Sequence, residues 1–273
     1  MSPSQTSKKS TQPRKAPQAK RGTAAKRTNP PAKKAAKEAH KAPAQRRKAE
    51  RHFFRDNGLS LFFGAILLIS LVFQAVSGVA DTNAWARADG MPLMTFGEYV
   101  SSSQFAVDVA ENWQSEYLQF LLFILATVWL VQHGSPESKP VDKVGRESDK
   151  DQKVKSFADA DSPPWARARD WRLPLFSHSL GLVMGAIFLL SWGAQLVAGT
   201  TSYNSERLQN LQTPVSIGGY FTSAEFWNRT LQNWQSEFLA VGSMVVFSIY
   251  LRERGSSESK PVGEPHESTG STG

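Results

Sequence analysis

Four uncharged apolar runs separated by polar segments constrain this chain more than any other feature. The first, LSLFFGAILLISLVFQAVSG, covers 59–78, and the third, SLGLVMGAIFLLSWGAQLVAG, covers 179–199. About 20 residues rising 1.5 Å each cover the ~30 Å hydrocarbon core of a bilayer. The second, YLQFLLFILATVWLV at 117–131, and the fourth, FLAVGSMVVFSIYL at 238–251, are shorter. Each spans a bilayer only if its helix begins upstream, among Asn112–Glu116 or Asn233–Glu237. A buried helix of a soluble protein is the alternative for every run. A cleaved signal peptide is the alternative for the first, because Gly78-Val79-Ala80 fits a small-x-small site. That run is too long for a signal h-region, which has about 7–15 residues.

Basic residues sort by segment. Of the 32 Lys and Arg, 17 lie in residues 1–55, nine in 133–172 and three after 251. The segments 79–111 and 200–236 hold only Arg87, Arg207 and Arg229. Lys and Arg concentrate on the cytoplasmic side of membrane proteins. The expectation is therefore a membrane protein with both termini and the central linker on the cytoplasmic side.

A shift of 121 residues aligns Leu59–Val141 with Leu180–Val262 without a gap, with 29 of 83 positions identical. A repeat resets the architecture. Each copy holds two apolar runs, so both copies insert the same way round, which gives a parallel pseudo-two-fold. The expected fold class is all-α: four transmembrane helices as two tandem helical hairpins, with a disordered basic N-terminal tail. The expected segments are the tail (1–52), the first repeat (53–141), a cytoplasmic linker (142–174), the second repeat (175–262) and a disordered C-terminal tail (263–273).

Identities within the repeat cluster at helix ends. NWQSE recurs at 112–116 and 233–237, and SPESKPV at 135–141 matches SSESKPV at 256–262. In the first span of each copy, Ser70, Gln74 and Gly78 match Ser191, Gln195 and Gly199. Spacing of four puts them on one helix face, a pattern that serves close packing or a polar lining. Ser101–Gln104 and Thr222–Glu225 fit the S/T-x-x-E/Q capping box, and so does Thr95–Glu98. A short helix near 96–101 followed by a longer one over about 103–131 is predicted.

Trp113 and Trp234 suit the aromatic belt at a membrane interface. Glu116 and Glu237, one helical turn deeper, need a partner, a proton or water. Three readings stay open. In the first, Gln74 contacts Glu116 and Gln195 contacts Glu237 as structural clamps, with Ser115, Ser236 or the Trp N–H groups as further donors. In the second, the carboxylates sit at helix N-terminal turns, wetted by headgroup water. In the third, they form an ion or proton site. At the other end, Glu137, Lys139, Glu258 and Lys260 either hold a turn against the membrane or bind a partner.

With N-W-x-S-E-F-L before the second span and G-S-x-E-S-K after it, each copy resembles a family of small bacterial integral membrane proteins known only as a domain of unknown function. The resemblance covers about 57–141 and 175–262. Tyr117 replaces Phe in copy one, and Ala240 stands where copy one has Gln119. The resemblance implies bacterial origin and membrane placement, and it brings no activity, cofactor or catalytic residue.

Residues 1–55 have too little apolar surface to offset chain entropy. Their charge suits anionic lipid headgroups; nucleic acid is the less favoured partner, because aromatics for base stacking are absent before Phe53. The chain has no Cys, no phosphate-binding glycine loop and no HExxH or GxSxG motif, and its five His are scattered. No catalytic residue, cofactor or metal site is expected. The functional expectation is a non-enzymatic membrane scaffold or interaction protein with an unidentified protein partner; the alternative is a small ion or proton conduit through the repeated Gln/Glu pairs.

Overall fold

A computed structural model describes residues 53–271. The basic tail expected over 1–52 lies outside the described residues. All regular structure among the described residues is helical: α1 (Phe53–Asp56), α2 (Gly58–Ala88), α3 (Phe96–Val100), α4 (Ser103–Trp129), α5 (Arg172–Ser177), α6 (Ser179–Gln209), α7 (Ile217–Phe221) and α8 (Ala224–Tyr250), with short 3₁₀ turns in the linker. The chain divides into two compact units at Phe62 and Phe63. The described part of the first holds α1 and the start of α2; the second holds the rest of α2 and every later helix.

A shift of 121 carries the bounds of α2, α3 and α4 onto those of α6, α7 and α8. By length and composition α2 and α6, 31 residues each, can cross a membrane. Helices α4 and α8 have 27 residues each, about 40 Å, with their charged residues in the first half and apolar residues in the second.

Local chemistry explains the boundaries. Thr95 caps α3 reciprocally: its Oγ1 accepts the Glu98 N–H at 3.3 Å, and Glu98 Oε2 accepts the Thr95 N–H at 2.7 Å. Ser216 caps α7 with its hydroxyl alone, since Gly219 stands where the acid would be. The caps of α4 and α8 are Ser102 and Ser223, each accepting an N–H at 3.2 Å. These lie one residue beyond the expected Ser101 and Thr222, whose hydroxyls instead donate back to Gly97 and Gly218 carbonyls and close α3 and α7.

The end of the bundle holding residues 89–102 and 210–223, here the loop end, is built alike in both copies. The Asn83 side chain exchanges two hydrogen bonds with the Met94 backbone at 2.7 and 2.8 Å, and Asn204 does the same with Val215 at 2.8 and 2.9 Å. Tyr99 packs on Gly78 and Tyr220 on Gly199, where an added Cβ would lie 2.6 Å from the Tyr220 hydroxyl. The small position on each first helix is therefore a seat for a tyrosine ring. Burial pushes the Tyr220 hydroxyl up to about 12.

Helix α6 lies against α4, with Leu121 and Leu125 over Gly185 and Gly181, and α4 also packs on α8. One face of α4 is buried at Val107, Ala110, Gln114 and Leu118. Trp192 of α6 sits among Phe188, Phe221, Phe226, Trp227 and Trp234. Helix α2 keeps only Ala75 buried.

Candidate functional site

The two NWQSE segments face each other across the α4–α8 contact. Trp234 Nε1 donates to Gln114 Oε1 at 2.9 Å. Glu116 and Glu237 lie near each other across the same contact. The motif residues of the two copies thus meet across α4 and α8, while Gln195 finds a different partner within its own copy. Gln195 is fully buried and donates to Thr230 Oγ1 at 3.2 Å, about two helical turns before Glu237. No hydrogen bond joins Gln74 to Glu116 among the described residues. The physical reason is register: Gln195 meets the polar first half of α8, and Thr230 is the hydroxyl at its level. The counterpart of Thr230 in copy one is Val109, which offers Gln74 no acceptor.

The remaining motif residues divide by exposure. Ser115 and Ser236 turn their hydroxyls back on the carbonyls of Asn112 and Asn233, at 2.9 and 2.8 Å, so neither serves a carboxylate. Trp113 is exposed, as an interfacial anchor would be, whereas Trp234 is drawn inward. Gln114 Nε2, Gln195 Oε1 and Trp192 Nε1 are buried without a protein partner.

Arg229 is the strongest fastening of this site. Its guanidinium donates to Glu111 at 2.7 and 3.0 Å and to Asp108 at 2.7 Å, and Glu225 lies 3.8 Å away. Asp108 also accepts from Gln104, whose Oε1 accepts the Ser202 hydroxyl of α6 at 2.5 Å. A polar chain thus runs from α6 through α4 to α8. Sequence reasoning passed over Arg229, although the signal was present: under the shift of 121, Arg229 falls on Asp108. Opposite charges at equivalent positions of a repeat can pair where the two copies face each other.

At the opposite end, SxESKP forms a turn twice. Ser138 Oγ accepts the Gln132 N–H at 2.9 Å, and Ser259 Oγ accepts the Glu253 N–H at 3.0 Å. Gly134 and Gly255 adopt φ of +84° and +86°, a conformation that favours glycine. Lys139 donates to the Gly145 carbonyl at 3.1 Å and pairs with Glu147 at 3.0 Å. Lys260 donates to His266, the equivalent carbonyl, at 2.8 Å, and also to Gly134 at 2.7 Å and to Pro265 and Ser268 at 3.2 Å. Burial holds its ammonium below the usual lysine range. The two motif lysines thus hold turns, and neither pairs with its motif glutamate. Glu137 and Glu258 lie close enough to feel each other's charge, and burial, more than that charge, raises the Glu137 carboxyl.

Residues 263–271, read from sequence as a disordered tail, instead cross the end of copy one. The Gly134 N–H donates to Thr269 Oγ1 at 2.8 Å, and the Gly270 N–H to the Ser135 carbonyl at 3.0 Å. A buried ammonium must have its donors accepted, and the tail supplies three of the four carbonyls that Lys260 meets. The linker over 142–174 holds turns and the ion pairs Lys153–Asp159 and Lys155–Asp149. Trp165 packs against Trp171 and Phe176 where the linker enters α5.

A family model described as a domain of unknown function (DUF6766) matches residues 50–271, and the chain belongs to that family. No curated protein and no solved structure matches the chain.

Proposed function

We propose that this member of the DUF6766 family is a four-span protein of the bacterial cytoplasmic membrane, built from two duplicated hairpins with parallel pseudo-two-fold symmetry, that acts as a non-enzymatic scaffold or interaction protein. One observation carries the reading: polar side chains in the first halves of α4 and α8 are engaged with each other. Trp234–Gln114, Arg229–Asp108 and Arg229–Glu111 join the hairpins, which is what a fastening does. Both termini lie on the Lys/Arg-rich inner side, and the N-terminal tail binds anionic lipid there. Reporter fusions at residues 90, 150 and 210 test the topology: a cytoplasmic signal at 90 would overturn it. Copurification from membranes, with and without residues 1–50, tests the tail. Lost anionic lipid on deletion supports the reading, and lost nucleic acid replaces it.

Glu116 near Glu237, together with the buried Gln114 Nε2 and Gln195 Oε1 that lack a protein partner, favours a second reading, a small cation or proton conduit. Vesicle flux separates the two. Equal background flux for the wild type and for Glu116→Gln with Glu237→Gln, together with lower stability of the variant, supports the fastening. Flux that the substitutions abolish supports the conduit.

A further inference from the structure

The two copies differ where α4 and α8 end. In copy two, Arg252 lays its guanidinium on the carbonyls that end α8: Ser248 at 3.3 Å, Ile249 at 3.0 Å and Leu251 at 2.8 Å, with Glu264 beyond at 3.0 Å. A cation at a helix C-terminus is favoured by the carbonyls and the dipole. Under the shift of 121, Arg252 falls on Val131, which has no charge to offer. Copy one instead has a cavity of about 250 Å³ at this place, lined by Thr127, Leu130 and Val131, the counterparts of Ser248, Leu251 and Arg252.

The lining has two characters. Phe123, Ala126 and Val245 make an apolar wall continuous with the apolar halves of α4 and α8. Ser135 and Glu137 make the polar part. Ser135 is fully buried, and its Oγ has no partner. The Glu137 carboxylate meets neither a base nor a hydrogen-bond donor among the described residues. Lys139 is engaged with Gly145 and Glu147, and Lys260 with four carbonyls. Glu258 adds a second negative charge nearby. The site therefore has acceptors, negative charge and an apolar flank, and Val131 stands there where copy two has Arg252.

We infer that this cavity binds the primary ammonium headgroup of an aminophospholipid from the adjacent leaflet, its N–H donors meeting Glu137 and Ser135 in the space that Val131, smaller than Arg252, leaves open. Three N–H donors on one nitrogen suit several converging acceptors, which a quaternary ammonium cannot serve. The volume falls below that of drug-sized pockets and suits a headgroup, leaving the acyl chains along the apolar wall. The inference rests on the membrane reading above, which alkaline carbonate extraction of native membranes tests separately.

The test is native mass spectrometry of the full chain in detergent, titrated with dioleoylphosphatidylethanolamine and, separately, with the phosphatidylcholine and phosphatidylglycerol of the same chains. One phosphatidylethanolamine should bind in preference to both. Glu137→Gln should weaken it roughly tenfold or more, the scale of a lost charge-assisted hydrogen bond. Val131→Arg, which copies Arg252, should bring it to background. Glu267→Gln, away from the lining, should bind as the wild type does. If Val131→Arg fails to fold by circular dichroism, Glu137→Gln decides the matter. Equal binding of the three lipids, or wild-type binding by Glu137→Gln, overturns the inference. Displacement of the lipid by millimolar free ethanolamine also overturns it, since the ligand would then be a soluble amine.

Discussion

Replacing Arg229 with Ala removes the cation that two hairpins share. In the folded chain its guanidinium donates three bonds of 2.7–3.0 Å to Glu111 and Asp108. All three side chains are no more than 26% exposed. Exposed pairs contribute about 0.2–1 kcal/mol, whereas breaking a fully buried pair costs about 3–5 kcal/mol. Partial burial puts Arg229→Ala between these, at about 2–3 kcal/mol. For a chain of this size that is a fall in unfolding midpoint of roughly 5–10 °C. Thermal unfolding in detergent, followed by tryptophan emission, reads it directly. Asp108→Asn added to Arg229→Ala should cost little more, because the anion it removes is already unpaired. The resulting cycle should give a coupling of about 1–2 kcal/mol. A midpoint within about 1 °C of wild type for Arg229→Ala, or strictly additive effects, would refute the reasoning.

Other parts of the molecule give three more expected outcomes. Gly199→Ala drives a Cβ to 2.6 Å from the Tyr220 hydroxyl and should cost about 1–3 kcal/mol by overpacking; Tyr220→Phe in the same chain should recover part of it, as read by thermal unfolding. Lys260→Met leaves carbonyls of Gly134, Pro265, His266 and Ser268 without their donor; limited proteolysis should cut within 262–271 far sooner than in the wild type, with the bundle intact. The Thr95 N–H and hydroxyl hold the Glu98 carboxyl below its usual 4.5. Its contribution is present above pH 4.5 and is lost as pH falls through the lower folded value; hydrogen exchange at 95–101 should rise over that window, and Glu98→Gln should abolish the pH dependence.

Much of the helical frame was legible because it rests on local chemistry. The capping residues set the starts of α3 and α4 to within a residue, and the 121-residue shift reappears in the element bounds. The error at Ser101 and Thr222 arose because adjacent hydroxyl residues compete there, and the one that ends the short helix cannot also start the long one. The partners of NWQSE were not legible in the same way. Pairing Gln74 with Glu116 and Gln195 with Glu237 assumed that each hairpin satisfies its own polar groups. Gln195 instead meets Thr230 of its own copy, while Gln114, Asp108 and Glu111 meet Trp234 and Arg229 of the other, and that arrangement depends on how α4 meets α8, which no local pattern encodes. Opposite charge at the equivalent positions 108 and 229 was the available clue. The tail at 263–271 was misread for a related reason: its residues have no periodicity of their own, and its order comes from a distant buried lysine.

The chain has no cysteine, so disulfide trapping in native membranes can test the central claim, that the two NWQSE segments meet between hairpins. Glu116→Cys with Glu237→Cys should cross-link rapidly under mild oxidation within a single chain, and Gln195→Cys with Glu237→Cys should not. Efficient cross-linking of the 195/237 pair with none at 116/237 would contradict the account and restore separate hairpins, each fastened to itself.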